Sequence, residues 1–170
     1  MERLARKIRA IPDVPRPGMV FRDITPLVKD PVALRLAVLR LMYPFLGEEI
    51  TAVAGLEAKG FIFGSLVAWE LGVGFIPVRK PGKLPFKVQS TTDVDYGAVP
   101  LEMHADAVQR GDRILLVDDL IATGDTAAAS CEMMENIGVE IVACAFIVEL
   151  DSLRGRERLD KYRVYSLVHY

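Results

Sequence analysis

One stretch of thirteen residues constrains this chain more than any other, and it reads I-L-L-V-D-D-L-I-A-T-G-D-T. It begins with four apolar residues, Ile114 to Val117, which indicate a strand buried on both faces of a sheet. We expect this strand to stop at two carboxylates, Asp118 and Asp119. An Ala-rich helical pattern then opens at Asp125 and runs to about Ile137. A strand, a short loop and a helix N-terminus in this order are typical of an anion-binding loop.

The loop after the acidic pair is suited to a phosphate. Ala122, Thr123 and Gly124 are small enough to let backbone N–H groups turn inward, where the positive end of the helix dipole also converges. The two carboxylates cannot serve the same phosphate, but carboxylates accept hydrogen bonds from hydroxyl groups and bind Mg²⁺. A sugar phosphate satisfies both halves of the stretch.

Other classes of site explain this stretch less well. P-loop nucleotidases also place Asp-Asp after an apolar strand, but G-x-x-x-x-G-K-[ST] is absent, and Gly82-Lys83 lacks both the Gly spacing and the Ser/Thr. The sequence has no G-x-G-x-x-G, which argues against a dinucleotide-binding fold. A solvated turn capped by Asp would explain the acids alone, but not the full order of residues.

The stretch closely resembles the diphosphate-sugar signature of the type I phosphoribosyltransferases. Further motifs match family members that act on adenine, in the family's order and over nearly all of the chain. They are F-R-D-I-T-P at 21–26, G-L-E-A-K-G-F at 55–61, R-K-P-G-K-L-P at 79–85 and Y-G at 96–97. The resemblance implies purine salvage, in which the 5-phosphoribosyl group of 5-phosphoribosyl 1-diphosphate passes to adenine and gives AMP and pyrophosphate.

The alternation of strand and helix patterns predicts a three-layer α/β domain, with helices on both faces of a mostly parallel central sheet. This agrees with the type I phosphoribosyltransferase fold. We expect a single domain over residues 1–170, in which 1–28 form an N-terminal helix and a base-binding hood. Residues 84–104 are predicted to form a flexible β-hairpin lid that excludes water.

The resemblance assigns the acidic pair to the ribose hydroxyls and the loop after it to the 5-phosphate. The residues concerned are Asp118, Asp119, Leu120, Ala122, Thr123, Gly124, Asp125 and Thr126. Asp125 departs from the family, which usually has Gly there. Because a carboxylate facing a phosphate would repel it, we expect the Asp125 side chain to turn outward and cap the helix, leaving only its N–H in the loop.

A second loop is predicted between a strand at Ile50 to Ala54 and a helix that ends at about Leu71. It should lie at the same end of the parallel sheet as the first. By resemblance, Ala58 and Lys59 of this loop bind the leaving pyrophosphate through backbone N–H groups and the ammonium. Arg is usual at the position of Lys59, and Lys keeps the charge but loses the bidentate fork.

Three cations, Arg79, Lys80 and Lys83, follow the next predicted strand within five residues. Such a concentration of positive charge suits a pyrophosphate, and a solvated loop is the alternative. We count Arg79 with the catalytic residues. In the family a residue of this kind can come from the neighbouring subunit, which implies a homodimer with shared active sites.

The segment Ile11 to Thr25 is rich in Pro and cannot form a long helix or an inner strand. A rigid, non-regular segment can form a hood over a planar ligand, with Phe21 available to stack on it. The residues alone leave open that Val20 and Phe21 are simply core. The resemblance implies that backbone groups around Val20 read the edge of adenine and that Arg22 helps to close the pocket.

In the family, a carboxylate directly before the Tyr-Gly pair of the lid acts on the N7 side of the purine and assists loss of the N9 proton. Here that residue is Asp95, where Glu is usual, and Tyr96 follows in the substrate-binding set. The Asp95 side chain is shorter than that of Glu by about 1.5 Å. Either the lid closes further, a water bridges the gap, or Glu102 substitutes as the base.

Composition limits the remaining functions. The net charge of −2 gives no general nucleic-acid footprint, and no apolar run approaches membrane-spanning length. A hydrophobic content of 51% suggests a subunit interface. Cys131 and Cys144 fall on patterns in which buried thiols are common, and no secretory signal is evident, so we expect a cytoplasmic protein. His104 and His169 show no metal-ligand spacing.

The cofactor implied is Mg²⁺, held mainly through substrate oxygens rather than by direct protein ligands. Two other functions stay open. A transferase for hypoxanthine or xanthine would share the donor site but would need a different edge-reading segment at Val20 to Arg22. A non-catalytic regulator that senses the phosphoribosyl donor typically carries an added DNA-binding region, for which 170 residues leave little room.

Overall fold

The computed structural model describes residues 2–85, 87–90 and 100–170, and at 87–90 the backbone alone. The described strands are β1 Arg9–Pro12, β2 Val20–Asp23, β3 Ala52–Leu56, β4 Gly74–Val78, β5 Lys87–Ser90, β6 Leu101–His104, β7 Arg113–Ile121, β8 Glu140–Glu149 and β9 Val164–His169. The described α-helices are α1 Glu2–Ala5, α2 Thr25–Lys29, α3 Pro31–Met42, α4 Gly60–Leu71, α5 Asp125–Glu135 and α6 Gly155–Arg158. Short 3₁₀ turns lie at Tyr43–Phe45 and Asp151–Leu153.

Five of these strands form a parallel sheet in the order β4-β3-β7-β8-β9. Alternate residues of β7 serve opposite faces of it. Leu115 and Val117 pack into a core shared with α3 and α4, while Ile114 and Leu116 pack into a core shared with α5. Because both faces of the sheet carry helices, the predicted three-layer α/β architecture is confirmed.

β7 is longer than the sequence predicts. The strand was expected to stop before the two acids, yet it continues to Ile121 and includes Asp118 and Asp119. β8 causes this, because it pairs with β7 as far as Ile121, opposite Glu149. The ladder with β3 ends earlier, at Val117. The acidic pair therefore extends past the end of one neighbouring strand while the other neighbour still holds it.

The N-terminal region is more regular than expected. The expected N-terminal helix is short and ends at Ala5, because Arg9 and Ala10 belong to β1. This strand pairs antiparallel with β2, and the Arg9 guanidinium binds the Asp23 carboxylate, with Nε 3.0 Å from Oδ2. The Pro-rich segment thus contains a two-stranded ribbon, in which both strands are edges and tolerate Pro.

The start of α3 is set by its local sequence. α3 begins at Pro31, and Asp30 caps it by accepting hydrogen bonds from the backbone N–H groups of Val32 and Ala33. β5 and β6 pair antiparallel at the base of the predicted lid hairpin, whose tip falls outside the described residues. Among the helices described, none has the length and apolarity needed to cross a bilayer.

Candidate active site

Two adjoining cavities open at the C-terminal end of the parallel sheet. The first has a volume of about 210 Å³ and lies against the acidic stretch, and the second, also of about 210 Å³, lies beside the cationic loop after β4. They share Leu56 and Thr126. The first is lined by Leu56, Asp118, Leu120, Ile121, Ala122, Thr123, Gly124, Asp125, Thr126, Ala127 and Phe146. The second is lined by Leu56, Glu57, Arg79, Lys80, Pro81, Pro100, Leu101 and Thr126.

The loop from Ala122 to Thr126 rests on the first residue of α6. Gly124 has a φ of +83° and is the N-cap of α5. A Cβ on Gly124 would lie 2.5 Å from the carbonyl oxygen of Gly155, and a Cβ on Gly155 would lie 2.3 Å from that of Ala122. Only glycine permits this approach at both positions. Gly155 thus supports the loop from about thirty residues away in sequence, and the sequence analysis missed it.

Asp125 does not cap α5, so that part of the prediction is wrong. The N-cap is Gly124, and Asp125 is the first helical residue. Its Oδ2 accepts a hydrogen bond of 2.7 Å from the Thr123 hydroxyl, and its Oδ1 lies 3.4 Å from Nε of Arg158 in α6. The extra negative charge beside the loop is therefore compensated by a guanidinium that the sequence analysis did not single out.

The acidic pair is held at several points. Asp119 is buried, and its Oδ2 lies 2.8 Å from Nζ of Lys59. Oδ1 of Asp118 accepts a hydrogen bond from the backbone N–H of Asp119. Burial, and then the neighbouring Asp119 charge, raise the pKa of Asp118 well above its usual range. Lys59 was expected to face the pyrophosphate, and here it connects the second loop to the acidic pair.

Gly60 lies directly against this pair. A Cβ on Gly60 would be 2.7 Å from Oδ1 of Asp118 and 2.9 Å from the carbonyl oxygen of Val117. The first residue of α4 must therefore be glycine for β7 to carry the acid at this position. Gly60 belongs to a motif that the sequence showed, but its role is visible only in the packing.

Beside the second cavity, the Glu57 carboxylate holds Arg79 and the backbone of Lys80 in place. Nη2 of Arg79 donates to its Oε1 at 3.0 Å, and the backbone N–H of Lys80 donates to its Oε2 at 3.0 Å. The hydrogen bond from Arg79, followed by that from Lys80, lowers the pKa of Glu57. The side chains of Lys80 and Lys83 are exposed, and Ala58 is exposed in the turn between β3 and α4.

Glu102 holds the cationic loop from beneath. Its side chain is fully buried, and its two carboxylate oxygens accept hydrogen bonds from three consecutive backbone N–H groups. These donors are Gly82 at 2.9 Å, Lys83 at 2.5 Å and Leu84 at 2.7 Å. A carboxylate engaged in this way is a scaffold for the loop. The assignment of the base to Asp95 or Glu102 stays a prediction.

The N-terminal ribbon brings an aromatic ring to the site. Phe21 is 37% exposed, and Val20 is exposed beside it, so the interpretation of both as core residues is wrong. Nζ of Lys59 lies 5.3 Å from the centroid of the Phe21 ring, within cation–π range. The Arg22 guanidinium stacks on Tyr170 at 3.6 Å from its ring centroid, a contact with the last residue that the sequence did not reveal.

Comparison with known proteins identifies the family. A family model described as a phosphoribosyl transferase domain matches residues 32–169. The chain belongs to the phosphoribosyltransferase family. The match spans the sheet from β3 to β9, together with every residue that lines the two cavities.

Individual relatives in the family cover 98–100% of the chain. An adenine phosphoribosyltransferase of Methylococcus capsulatus is 64% identical over 171 residues, covering 100% of both chains. The crystal structure of adenine phosphoribosyltransferase from Rhodothermus marinus has 46% identity and a TM-score of 0.92, covering 99% of this chain and 97% of that one. The enzyme of Saccharomyces cerevisiae, in complex with an imino-altritol bisphosphate and adenine, has 36% identity and a TM-score of 0.89, covering 98% and 97%.

Most residues that the family resemblance assigns come together at one end of the sheet. Asp118, the loop after it and Arg79 line the two cavities. Lys59 is paired with the adjacent Asp119, and Phe21 lies beside Lys59. Asp95 and Tyr96 lie outside the described residues. The supporting residues Gly60, Gly155 and Arg158 were missed, because each acts through a contact with a segment distant in sequence.

Proposed function

We propose that this chain transfers the 5-phosphoribosyl group from 5-phosphoribosyl 1-diphosphate to adenine, forming AMP and pyrophosphate in purine salvage. The observation that supports this most is the pair of adjoining cavities, one lined by the loop after β7 and by Asp118, with Asp119 next to it, and the other lined by Arg79 and Lys80. A donor that carries phosphates at both ends of a ribose matches this arrangement. The full-length relatives named adenine phosphoribosyltransferase agree with it.

In the proposed reaction the first cavity holds the sugar phosphate. Backbone N–H groups from Ala122 to Thr126 and the N-terminus of α5 bind the 5-phosphate. The carboxylates of Asp118 and Asp119 accept hydrogen bonds from the ribose hydroxyls. Their negative charge also lies beside the sugar, where it stabilises the positive charge that develops on the ribosyl carbon as the C–O bond to pyrophosphate breaks.

The departing pyrophosphate is received by the cations of the second cavity. Glu57 and Glu102 fix Arg79 and the loop that carries Lys80 and Lys83, so these positive charges are in place before the leaving group gains its charge. Because the supporting carboxylates bind main-chain N–H groups and Arg79, the two lysine side chains stay exposed toward solvent.

The site is compatible with Mg²⁺ that arrives with the donor. Asp119 is paired with Lys59, and Asp118 accepts from the backbone, so the pair suits hydroxyl and water contacts better than a fully ligated ion. We therefore propose that Mg²⁺ is held mainly through substrate oxygens, as expected for a cation that keeps most of its water. When bound, it offsets negative charge on the diphosphate.

On the adenine side of the site, Phe21 is proposed to stack on the base. Backbone groups around Val20 are proposed to read the edge of adenine, and Arg22 to close the pocket. The stacking of Arg22 on Tyr170 supports this, because it fixes the ribbon against the end of the chain. Asp95 is proposed as the general base and Tyr96 as its neighbour in a lid over 84–104. The lid would keep water from the ribosyl centre.

A homodimer is proposed from the apolar surface of the chain. Trp69 of α4 is 81% exposed and Tyr43, at the end of α3, is 74% exposed, with Val32 and Leu46 also exposed. Large apolar side chains in such numbers mark an interaction surface. Sedimentation equilibrium should give twice the chain mass of 18.8 kDa. Substitution Trp69→Glu should shift the equilibrium toward the monomer, and an unchanged mass would place the interface elsewhere.

We also propose the cytoplasm as the location. Cys131 and Cys144 are buried free thiols with their sulfur atoms 3.6 Å apart. Two thiols this close that stay unlinked are compatible with a reducing compartment.

One assay separates the proposed function from its alternatives. The purified protein is given the donor and Mg²⁺ with adenine, guanine, hypoxanthine or xanthine in turn, and nucleotide and pyrophosphate are measured. AMP formed from adenine alone is the expected result. Product from hypoxanthine or xanthine would assign the chain to the related transferases. Donor binding without any product would identify a regulator.

A further inference from the structure

A second group of ligating side chains lies where β8 and β9 end, and none of its members lines either cavity. It consists of Glu149, Asp151 and His169, whose ligand atoms all lie within 4.8 Å of one another. Nδ1 of His169 is 2.9 Å from Oδ1 of Asp151 and 3.8 Å from Oε2 of Glu149. The three residues come from three segments, the end of β8, the 3₁₀ turn after it and the end of β9.

The backbone holds these segments in register. Glu149 and His169 are paired residues of the parallel β8–β9 ladder. The backbone N–H of Tyr170 donates to the carbonyl of Glu149 at 3.0 Å, and that of Asp151 donates to the carbonyl of Tyr170 at 2.9 Å. The three side chains therefore converge from a rigid frame, as a preorganised site requires.

Glu149 supplies an independent indication that something binds here. It is only 4% exposed. Its Oε1 accepts a hydrogen bond of 2.6 Å from Nε of Arg156. Its Oε2 is buried and makes no hydrogen bond of normal geometry among the described residues, even with the nearby Ser166 hydroxyl. A buried carboxylate oxygen without a partner is unfavourable. Oε2 is directed toward the ring of His169, so a cation between them would satisfy it.

We propose that Glu149, Asp151 and His169 bind one divalent transition-metal ion, with Zn²⁺ as the best-fitting class. At Zn–N and Zn–O distances near 2.1 Å, tetrahedral ligands lie about 3.4 Å apart. The observed separations of 2.9 and 3.8 Å lie on either side of that value. One imidazole nitrogen with two carboxylate oxygens favours Zn²⁺ over Mg²⁺, which prefers oxygen alone.

Charge and access support the same assignment. Two carboxylates against the single guanidinium of Arg156 leave an excess of negative charge for a cation to balance. Arg156 also fixes the orientation of Glu149, as the outer partners of metal ligands commonly do. The side chains of Asp151 and His169 are 58% and 43% exposed, so solvent can supply the fourth ligand. Without a metal, the imidazole bonds to Asp151 instead, and the metal must displace any proton on Nδ1.

The site is separate from the proposed transfer reaction and from its Mg²⁺. We expect the metal to stabilise the β8–β9 end of the sheet and to leave turnover little changed, since no member of the site reaches the two cavities. Two histidines in the chain provide a matched pair of variants, because His104 lies on β6 and His169 on β9.

The test is a titration of ZnCl₂ into chelator-treated, untagged full-length protein, followed by calorimetry, with Co²⁺ and its visible absorption as a second probe. The expected result is one ion per chain for the parent and for His104→Gln. His169→Gln and Asp151→Asn should each weaken binding by about tenfold or more while thermal unfolding of the metal-free protein stays near the parent. Both substituted side chains are partly exposed, so folding should survive.

Two results would overturn the proposal. Failure of the parent to bind Zn²⁺ in stoichiometric amount would remove the site. Binding that His169→Gln leaves unchanged, or that excess Mg²⁺ abolishes, would place the ion on oxygen ligands such as the acidic pair of the first cavity. Neither result would affect the transferase assay, so the two proposals fail independently.

Discussion

At Gly60, the space that a side chain would need is filled by the carboxylate of Asp118. Gly60→Ala should push that carboxylate out of position and reduce kcat/KM by about tenfold or more, a change of about 1.4 kcal/mol in transition-state stabilisation. Gly74→Ala is the matched control, because a Cβ there meets nothing within 4 Å. Steady-state kinetics of both variants measure this difference in kcat/KM. Equal activity of the two would mean that the position of Asp118 is unimportant.

The charge of Asp125 is compensated by Arg158, and this pair can be tested by a double-mutant cycle. Arg158→Gln should raise KM for the donor by roughly three- to tenfold, because it leaves an unpaired carboxylate near the phosphate; partial exposure of both groups limits the effect. Adding Asp125→Asn should restore most of the affinity. Asp125→Gly alone should change KM little, whereas a large fall in KM would show that the carboxylate faces the ligand.

Asp95 is the proposed base, and its role predicts a specific kinetic pattern. Asp95→Ala should lower kcat by about a hundredfold or more, the usual contribution of general acid–base catalysis, and weaken adenine binding far less. Asp95→Glu restores the residue usual in the family and should retain activity. Measurements of kcat and of adenine binding separate the two effects. A kcat equal to that of the parent would remove Asp95 from the mechanism.

These residues show where sequence reasoning succeeds and where it stops. The acids and the loop after them are contiguous, so the sequence alone predicts a site over Ile114 to Thr126. Gly155 and Arg158 act on that loop from thirty or more positions away, through contacts that only the packing of α6 creates. Glu102 was considered only as a substitute base, since nothing in the sequence shows that three N–H groups point at it.

At the scale of elements, the residue at which a strand ends depends on the neighbouring strands that pair with it. The start of α3 is encoded locally, because Asp30 and Pro31 supply an N-cap and a proline at the first helical position. The end of β7 is not, because a strand continues as long as a neighbouring strand pairs with it, and β8 continues to Glu149. The fold class followed from the alternation of elements, whereas β1 depends on a contact between Arg9 and Asp23 that periodicity does not encode.

The start of α3 gives a prediction for pH. The hydrogen bond from Lys7, followed by those from the backbone of the first helical turn, lowers the pKa of Asp30 from 3.8 to about 2. A carboxyl group whose pKa is depressed by folding stabilises the protein above the unfolded value, and this contribution is lost as pH falls through the folded value. The stabilisation should therefore be complete above about pH 4 and disappear toward pH 2.

Asp30→Asn isolates this charge, because Asn still caps the helix but cannot pair with Lys7. The parent should resist urea better than the variant near neutral pH, and the difference should shrink as the pH falls from about 4 toward 2. Asp30→Ala, which also loses the cap, should be less stable than Asn throughout. A difference between the parent and Asn that does not depend on pH would contradict the assignment.

At the scale of the whole molecule, the site joins parts that pack into different cores. The acids come from β7, the loop opens α5, Lys59 and Gly60 begin α4, and the ribbon with Phe21 lies beside Lys59. A nucleotide that contacts all of them should therefore stabilise the whole domain. AMP at a hundred times its Kd should add about 2.7 kcal/mol to the free energy of unfolding and raise Tm by about 5–10 °C.

Differential scanning calorimetry with and without AMP measures this shift, and the acids provide the discriminating variant. With Asp118→Asn and Asp119→Asn together, the same AMP concentration should produce a much smaller shift, since the ribose loses its charged acceptors. Gly74→Ala should respond as the parent does, because it lies away from the site. An undiminished shift in the double variant would mean that AMP is bound without the acidic pair, and the assignment of the ribose to the end of β7 would fail with it.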